Sequence, residues 1–329
     1  VSVLSSIQCK ILGTPCFSAH KGARNTLISV AFFLQLCLGQ TVEINTSEID
    51  SEVGIFFSAF WAEATRILNM GHEKPYSPDD LEGAISAFNE YGFVVLKEAV
   101  SPSDLDTIEI ELEAAQRKLI DGKLDNRYGS HLLDEPGATF AGKAFRHYVI
   151  NCTELSATAL SVSSSPLLKT FAEKLFEGKE VWLNDYARFG VVYQDARTDE
   201  GSKYSRIGWH ADYNSDEDSK AWPGFAFTIH IDRTSAANGF LRVVPGSHKV
   251  EVDKDDIGSW AFDHVDGEVP VFADRGDIIL HDYRLWHAAA RGTADGLSGR
   301  RRHVRGSWYA GERYASDHGI GTFYKNASR

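Results

Sequence analysis

Cysteine is scarce in this 329-residue chain: there are four, with no Cys-x-x-Cys among them, which excludes a zinc ribbon or a thioredoxin-type dithiol. Neither G-x-G-x-x-G nor G-x-x-x-x-G-K-[ST] occurs, so dinucleotide and P-loop nucleotide binding fall away as well. Positive charge is short, because 34 Lys and Arg stand against 46 Asp and Glu and leave a formal charge of -12. Broad binding to nucleic acid or an anionic membrane needs clustered cations and is not expected. The negative balance does permit a cationic ligand. The apolar stretch ISVAFFLQLCLG follows Lys21 and Arg24 and resembles a signal-peptide core, but it is too short for a membrane span and lies well inside the chain. A soluble, cytoplasmic protein is expected, with Cys152 an unpaired thiol in a reducing compartment.

Methionine is scarcer still. The single one, Met70, stands immediately ahead of the first strongly patterned segment, and Cys9, Cys16 and Cys37 all precede it. Residues 1–69 are therefore expected to be an extension outside the functional polypeptide, and residues 70–329 the functional domain. No internal repeat is present.

The composition that remains, 43% hydrophobic and 12% aromatic, suffices for a large core without metal or disulfide staples. Periodicity and caps predict a helix over 78–91, a strand over 93–96, a helix from Pro102 to about Leu119 and another over 166–176. Residues 122–160 are Gly-rich and irregular, suited to a lid. From Val181 onward short apolar or alternating runs close on Gly, Pro, Asn or Asp, the signature of strands and turns. Such strands without helical periodicity between them predict a mainly β fold with flanking helices, a double-stranded β-helix of the jelly-roll, cupin-like kind.

Within that region Gly208-Trp209-His210-Ala211-Asp212 is answered by Trp286-His287 and by Arg300-Arg301-Arg302. On a strand, residues i and i+2 share a face, so His210 and Asp212 can reach one metal while Ala211 points away. Two imidazoles and one carboxylate form the ligand set of a mononuclear non-haem iron(II) centre, with three positions left for a bidentate cosubstrate and dioxygen. His281 rivals His287 as the second imidazole. In Val181–Arg188 the residues Trp182, Asn184, Tyr186 and Arg188 share one face, a mixture of aromatic surface and hydrogen-bonding groups that suits a substrate-binding wall or an ordinary exposed sheet face. Asn238-Gly239 and Pro245-Gly246-Ser247-His248 read as turns. His248 is expected to brace its loop, and His230, His264, His303 and His318 to be structural.

The series WHADY, TSAANGFLRVVPGSHK, GDIILHDYRLWHAAARG and an arginine opening a strand resembles the phytanoyl-CoA dioxygenase family of iron(II)- and 2-oxoglutarate-dependent oxygenases. The resemblance runs over roughly residues 76–310, since PYSPDDLEGAISAFNEYGFVVLKEAVSPSDLDTIEIELE is similar to that family's opening helices and strand. It implies that His210, Asp212 and His287 hold the iron, His287 rather than His281 because small residues follow it. It implies that one arginine binds the distal carboxylate of 2-oxoglutarate through paired hydrogen bonds. Arg301 is preferred because apolar Val304 follows three positions on, with Arg300 and Arg302 left open. Ala289 stands where the family often carries a hydroxyl residue. Asp212 stands where related halogenases have a small residue, which favours hydroxylation.

The implied function is hydroxylation of an unactivated C–H bond of a small-molecule substrate, using Fe(II), O2 and 2-oxoglutarate and releasing succinate and CO2. Two other classes are weighed beside it: a cupin-like metalloenzyme that does not use 2-oxoglutarate, and a non-catalytic jelly-roll binding protein. The substrate's identity is not written in the sequence.

Overall fold

The computed structural model describes residues 74–130, 134, 137–184, 190–197, 207–212, 223–250 and 264–313, together with a short antiparallel pair, Lys10–Ile11 with Thr14–Pro15. The chain divides into two compact units, Val1–Gly71 and His72–Arg329. All elements below belong to the second unit.

Helix α1, Leu81–Tyr91, starts where the Asp80 carboxylate accepts from the Gly83 amide, and it stops at Gly92, whose φ of +83° closes the last turn. Strand β1, Phe93–Leu96, follows at once. Helix α2, Pro102–Ile120, carries Ser101 at its N-cap and Pro102 in its first turn, as the sequence predicts. The segment expected to be irregular holds more order than its glycines suggest. It contains a small hairpin of β2, Thr139–Phe140, and β3, Lys143–Ala144, then β4, Tyr148–Val149, and the short helix α3, Ala157–Ser163. Helix α4, Pro166–Leu175, completes the helical layer.

The remaining strands are β5 Val181–Leu183, β6 Val192–Ala196, β7 Ile207–His210, β8 Gly224–His230, β9 Leu241–Val243, β10 Val269–Val271, β11 Ile278–Asp282, β12 His287–Ala289 and β13 Arg301–Ala310. They form a major sheet in the order β1-β11-β8-β13-β6-β4, with β5 also on β13, and a minor sheet in the order β10-β9-β12-β7. All the strand pairings in both sheets are antiparallel. The non-consecutive strand order within each sheet is that of a double-stranded β-helix, as expected.

Alternation divides the major sheet into two faces. Phe225, Phe227 and Ile229 on β8, Ile278 and Leu280 on β11, and Val304 and Trp308 on β13 share one buried cluster with Phe88 of α1, Leu105, Ile108 and Leu112 of α2, and Phe171 of α4. Phe88, Phe171 and Phe225 meet edge-to-face, with ring centroids 5.3 to 6.1 Å apart. Position 306 lies on this face by alternation and is glycine, where a Cβ would come within 2.6 Å of the Phe227 ring. The intervening residues point the other way, into the roll: Ala226, Thr228 and His230 on β8, and Arg301, His303, Arg305 and Ser307 on β13. Among the described residues, no helix is long and apolar enough to cross a membrane.

Candidate functional site

His210 ends β7 and His287 begins β12, and the two are direct register partners across the minor sheet. Their rings lie 4.2 Å apart between centroids. Asp212 follows two residues after His210, and its Oδ1 lies 3.5 Å from His210 Nε2 and 3.8 Å from His287 Nε2. One ligand atom from each of the three residues falls within 4.8 Å of the other two, which gives a triad able to hold a metal ion.

The orientation of the imidazoles fits that role. His210 Nδ1 lies 2.8 Å from the Gly208 carbonyl and His287 Nδ1 lies 2.9 Å from the Leu285 carbonyl. Each Nδ1–H donated to a carbonyl fixes the tautomer that leaves Nε2 with its lone pair toward the common centre. Burial, reinforced by His210 and His281, pushes His287 down to about 3, so it stays neutral and free to ligate. Burial acts the same way on His210, but the Asp212 carboxylate outweighs it and the net shift is upward. Burial alone would raise Asp212; the three surrounding imidazoles reverse that and hold its carboxyl well below the usual range.

His281 sits on β11, and its Nε2 lies 3.1 Å from the second oxygen of Asp212, Oδ2. It therefore belongs to the same cluster, but as a group that can grip the carboxylate from outside. Among the described residues its buried Nδ1 has no hydrogen-bond partner.

The arginine run separates by direction. Arg302 faces the helical layer, where it pairs with Asp232 (2.7 Å) and with Glu109 and Glu113 of α2. Arg300 contacts Glu113 at 3.4 Å. Arg301, buried at 5% exposure, is the one that points into the roll. The distant Asn238-Gly239 turn packs against the start of β13: Asn238 Nδ2 donates to the Arg300 carbonyl at 3.1 Å, and at Gly239, with φ of +87°, a Cβ would lie 3.3 Å from Arg301 Nη1. His230 and His303 are cross-strand partners in the same interior. Their pairing is not legible in the sequence, because a single histidine on a strand reads as structural. Burial depresses both, with Arg301 the next cause, so both are neutral; His230 is pushed down to about 3.

Trp182 faces inward opposite Tyr309, and its indole donates to the Gly311 carbonyl at 3.0 Å. Asn184 shares this wall, where its side chain and that of Ser307 hydrogen-bond the Tyr283 hydroxyl. Burial pushes the Tyr283 phenol up, with the Asp212 charge adding to the effect, so it remains a donor. Tyr186, Arg188 and His318 lie outside the described residues. His248 braces its loop as expected, with Nε2 3.3 Å from the Asn89 carbonyl. His264 is an exposed partner of Glu268 at 2.8 Å.

Solved structures share this architecture. The 2-oxoglutarate-dependent epimerase SnoN of nogalamycin biosynthesis is 20% identical with a TM-score of 0.51, covering 70% of this chain and 81% of its own. EctD from S. alaskensis, solved with 2-oxoglutarate and 5-hydroxyectoine, is 17% identical with a TM-score of 0.53, covering 74% and 81%. The carbocyclase SnoK, also of nogalamycin biosynthesis, is 16% identical with a TM-score of 0.52, covering 75% and 92%. At these identities the likeness is one of fold. No curated protein matches the chain. The family model for phytanoyl-CoA dioxygenase, however, matches residues 88–302, about two-thirds of the sequence and all three triad residues, and the chain belongs to that family.

Proposed function

We propose that this protein is an iron(II)- and 2-oxoglutarate-dependent dioxygenase that hydroxylates an unactivated C–H bond of a small molecule. The observation that carries the proposal is the convergence of His210, Asp212 and His287, ligand atoms within 4.8 Å of one another, with both Nδ1 atoms already committed to carbonyls. This donor set suits a ferrous ion with open positions. When bound, iron and 2-oxoglutarate supply the oxidation, in which O2 is consumed and succinate and CO2 are released.

The chain's own residues position and shield. His210 and His287 present Nε2 toward the common centre, Asp212 presents a carboxylate, and His281 fixes the carboxylate's free oxygen. Arg301 is proposed to take the distal carboxylate of 2-oxoglutarate, since Arg302 and Arg300 are engaged by acidic side chains on the other face. Trp182 and Asn184 are proposed to face substrate, with the Tyr283 hydroxyl beside them. No side-chain general base is required, because the chemistry belongs to the cofactor.

Succinate formation that requires both iron and 2-oxoglutarate tests the reading. A cupin-like metalloenzyme without the cosubstrate would bind metal and release none; a non-catalytic roll would do neither. Because SnoN and SnoK are an epimerase and a carbocyclase, hydroxylation has its own test. The product must gain one oxygen atom, and a product of unchanged oxygen content would overturn it while leaving the oxygenase class intact.

A further inference from the structure

The interior face of the major sheet is a ladder of rows, and each row can be read from register. His281, Ala226 and Ser307 form the row at the triad. The next row is Ile279, Thr228, Arg305 and Val192. Beyond it lie His230, His303, Gln194 and Tyr148, and then Arg301 with Ala196. Arg305 is thus one row from the triad, while Arg301 lies about 13 Å further along the strand at ~3.3 Å per residue.

Arg305 is half-buried and, among the described residues, its side chain has no ion pair or hydrogen bond. Arg146, Arg197, Arg242 and Arg302, also withdrawn from solvent, each face a carboxylate. A guanidinium kept partly out of water without a counter-charge opposes folding. Among the described residues no carboxylate neutralises it. Strand register puts it between the row at the metal triad and the row of the inner histidines. Thr228 faces it across β8, and Ser307, with the Tyr283 hydroxyl and Asn184, lies one row nearer the mouth. The family match ends at residue 302, short of this position.

We infer that Arg305 is a specificity-determining residue that binds an oxyanion of the substrate, a carboxylate foremost, one strand row from the metal. The inference rests on the proposed function and adds a second anion position, distinct from the one assigned to Arg301. The chain's formal charge of -12 permits a cationic ligand, yet among the described residues Arg301 and Arg305 both point inward along β13. Planar guanidinium geometry suits paired hydrogen bonds to a carboxylate.

Small oxyanions are the probe. Acetate and sulfate are titrated calorimetrically, without oxygen, into enzyme loaded with iron(II) and 2-oxoglutarate, comparing wild type with Arg305→Gln, Arg305→Lys and the surface control Arg117→Gln. The expected result is saturable one-to-one binding that weakens at least about tenfold in Arg305→Gln, survives largely in Arg305→Lys and is unchanged in Arg117→Gln. Affinity for 2-oxoglutarate should stay within about threefold in all four. Equal anion binding by Arg305→Gln, or no saturable binding by wild type, overturns the inference. So does a parallel loss of 2-oxoglutarate affinity, which would give Arg305 to the cosubstrate. If wild type takes up neither iron nor 2-oxoglutarate, the proposed function fails instead, and the same titrations on the metal-free chain still decide the role of Arg305.

Discussion

At the scale of the residue, the triad's chemistry depends on which nitrogen each histidine offers. His210 and His287 spend Nδ1 on backbone carbonyls, whereas His281 spends Nε2 on Asp212 Oδ2. Removing a ligand and removing a group that orients one should therefore differ in degree. Asp212→Ala and His287→Ala are expected to abolish succinate formation and stoichiometric iron binding. His281→Ala should retain iron with affinity reduced about 10- to 100-fold, the usual loss for a group that orients a ligand. Metal titration of the three variants checks this, and equal loss in His281→Ala would make His281 a ligand. Cys152 offers a second residue-scale prediction. It is fully buried, and burial pushes its thiol up to about 12, so almost no thiolate exists near neutral pH. Iodoacetamide at pH 8 should leave the Cys152 peptide unmodified in native protein and label it after denaturation, as read by peptide mass.

At the scale of the element, the start of β13 is where the site meets the scaffold. The Asn238-Gly239 turn was legible in the sequence as a turn, but its purpose was not. Gly239 needs φ of +87°, and a Cβ there would lie 2.4 Å from the Ala290 carbonyl. Gly239→Ala should destabilise the protein by about 1–3 kcal/mol, the range for strained backbone, and raise the KM for 2-oxoglutarate by displacing Arg301. Thermal melts and steady-state kinetics would show the two effects together. Next to Arg301 in the chain, Arg302 ties β13 to α2 through Glu109 and Glu113 and to Asp232. Burial would raise Asp232, but the Arg302 guanidinium holds its carboxyl below the ordinary 3.8. A depressed folded value means stability present above the unfolded value and lost as pH falls through the folded one. Asp232→Asn should lose stability at pH 7 and show a shallower acid limb below about pH 4, measurable by denaturant melts across pH. An unchanged acid limb would remove Asp232 from this role.

At the scale of the whole molecule, the chain divides at Gly71 and His72, and the family match lies entirely in the second unit. We propose that the catalytic fold resides there. A chain of residues 70–329 is expected to keep iron- and 2-oxoglutarate-dependent succinate formation within about twofold of the full chain. A collapse of turnover, or failure of that shorter chain to melt cooperatively, would assign residues 1–69 a part in the fold.

The sequence by itself determined the local and the alternating. The cap at Ser101 sets the second helix where the sequence places it, whereas the first helix, expected from residue 78, begins at Leu81 under an Asp80 cap; period-two patterning marks strands whose inward residues follow from parity. The i, i+2 spacing sets His210 and Asp212 on one side, because backbone geometry alone controls it. Tertiary structure decided every question of direction across strands. It paired His287 with His210, placed His281 behind Asp212, and turned Arg301 inward while acidic partners on α2 took Arg302. It also brought His230, His303 and Arg305 into the interior. Each of these depends on register between segments tens of residues apart, where a slip of one residue would reverse the face, and no local pattern encodes that choice.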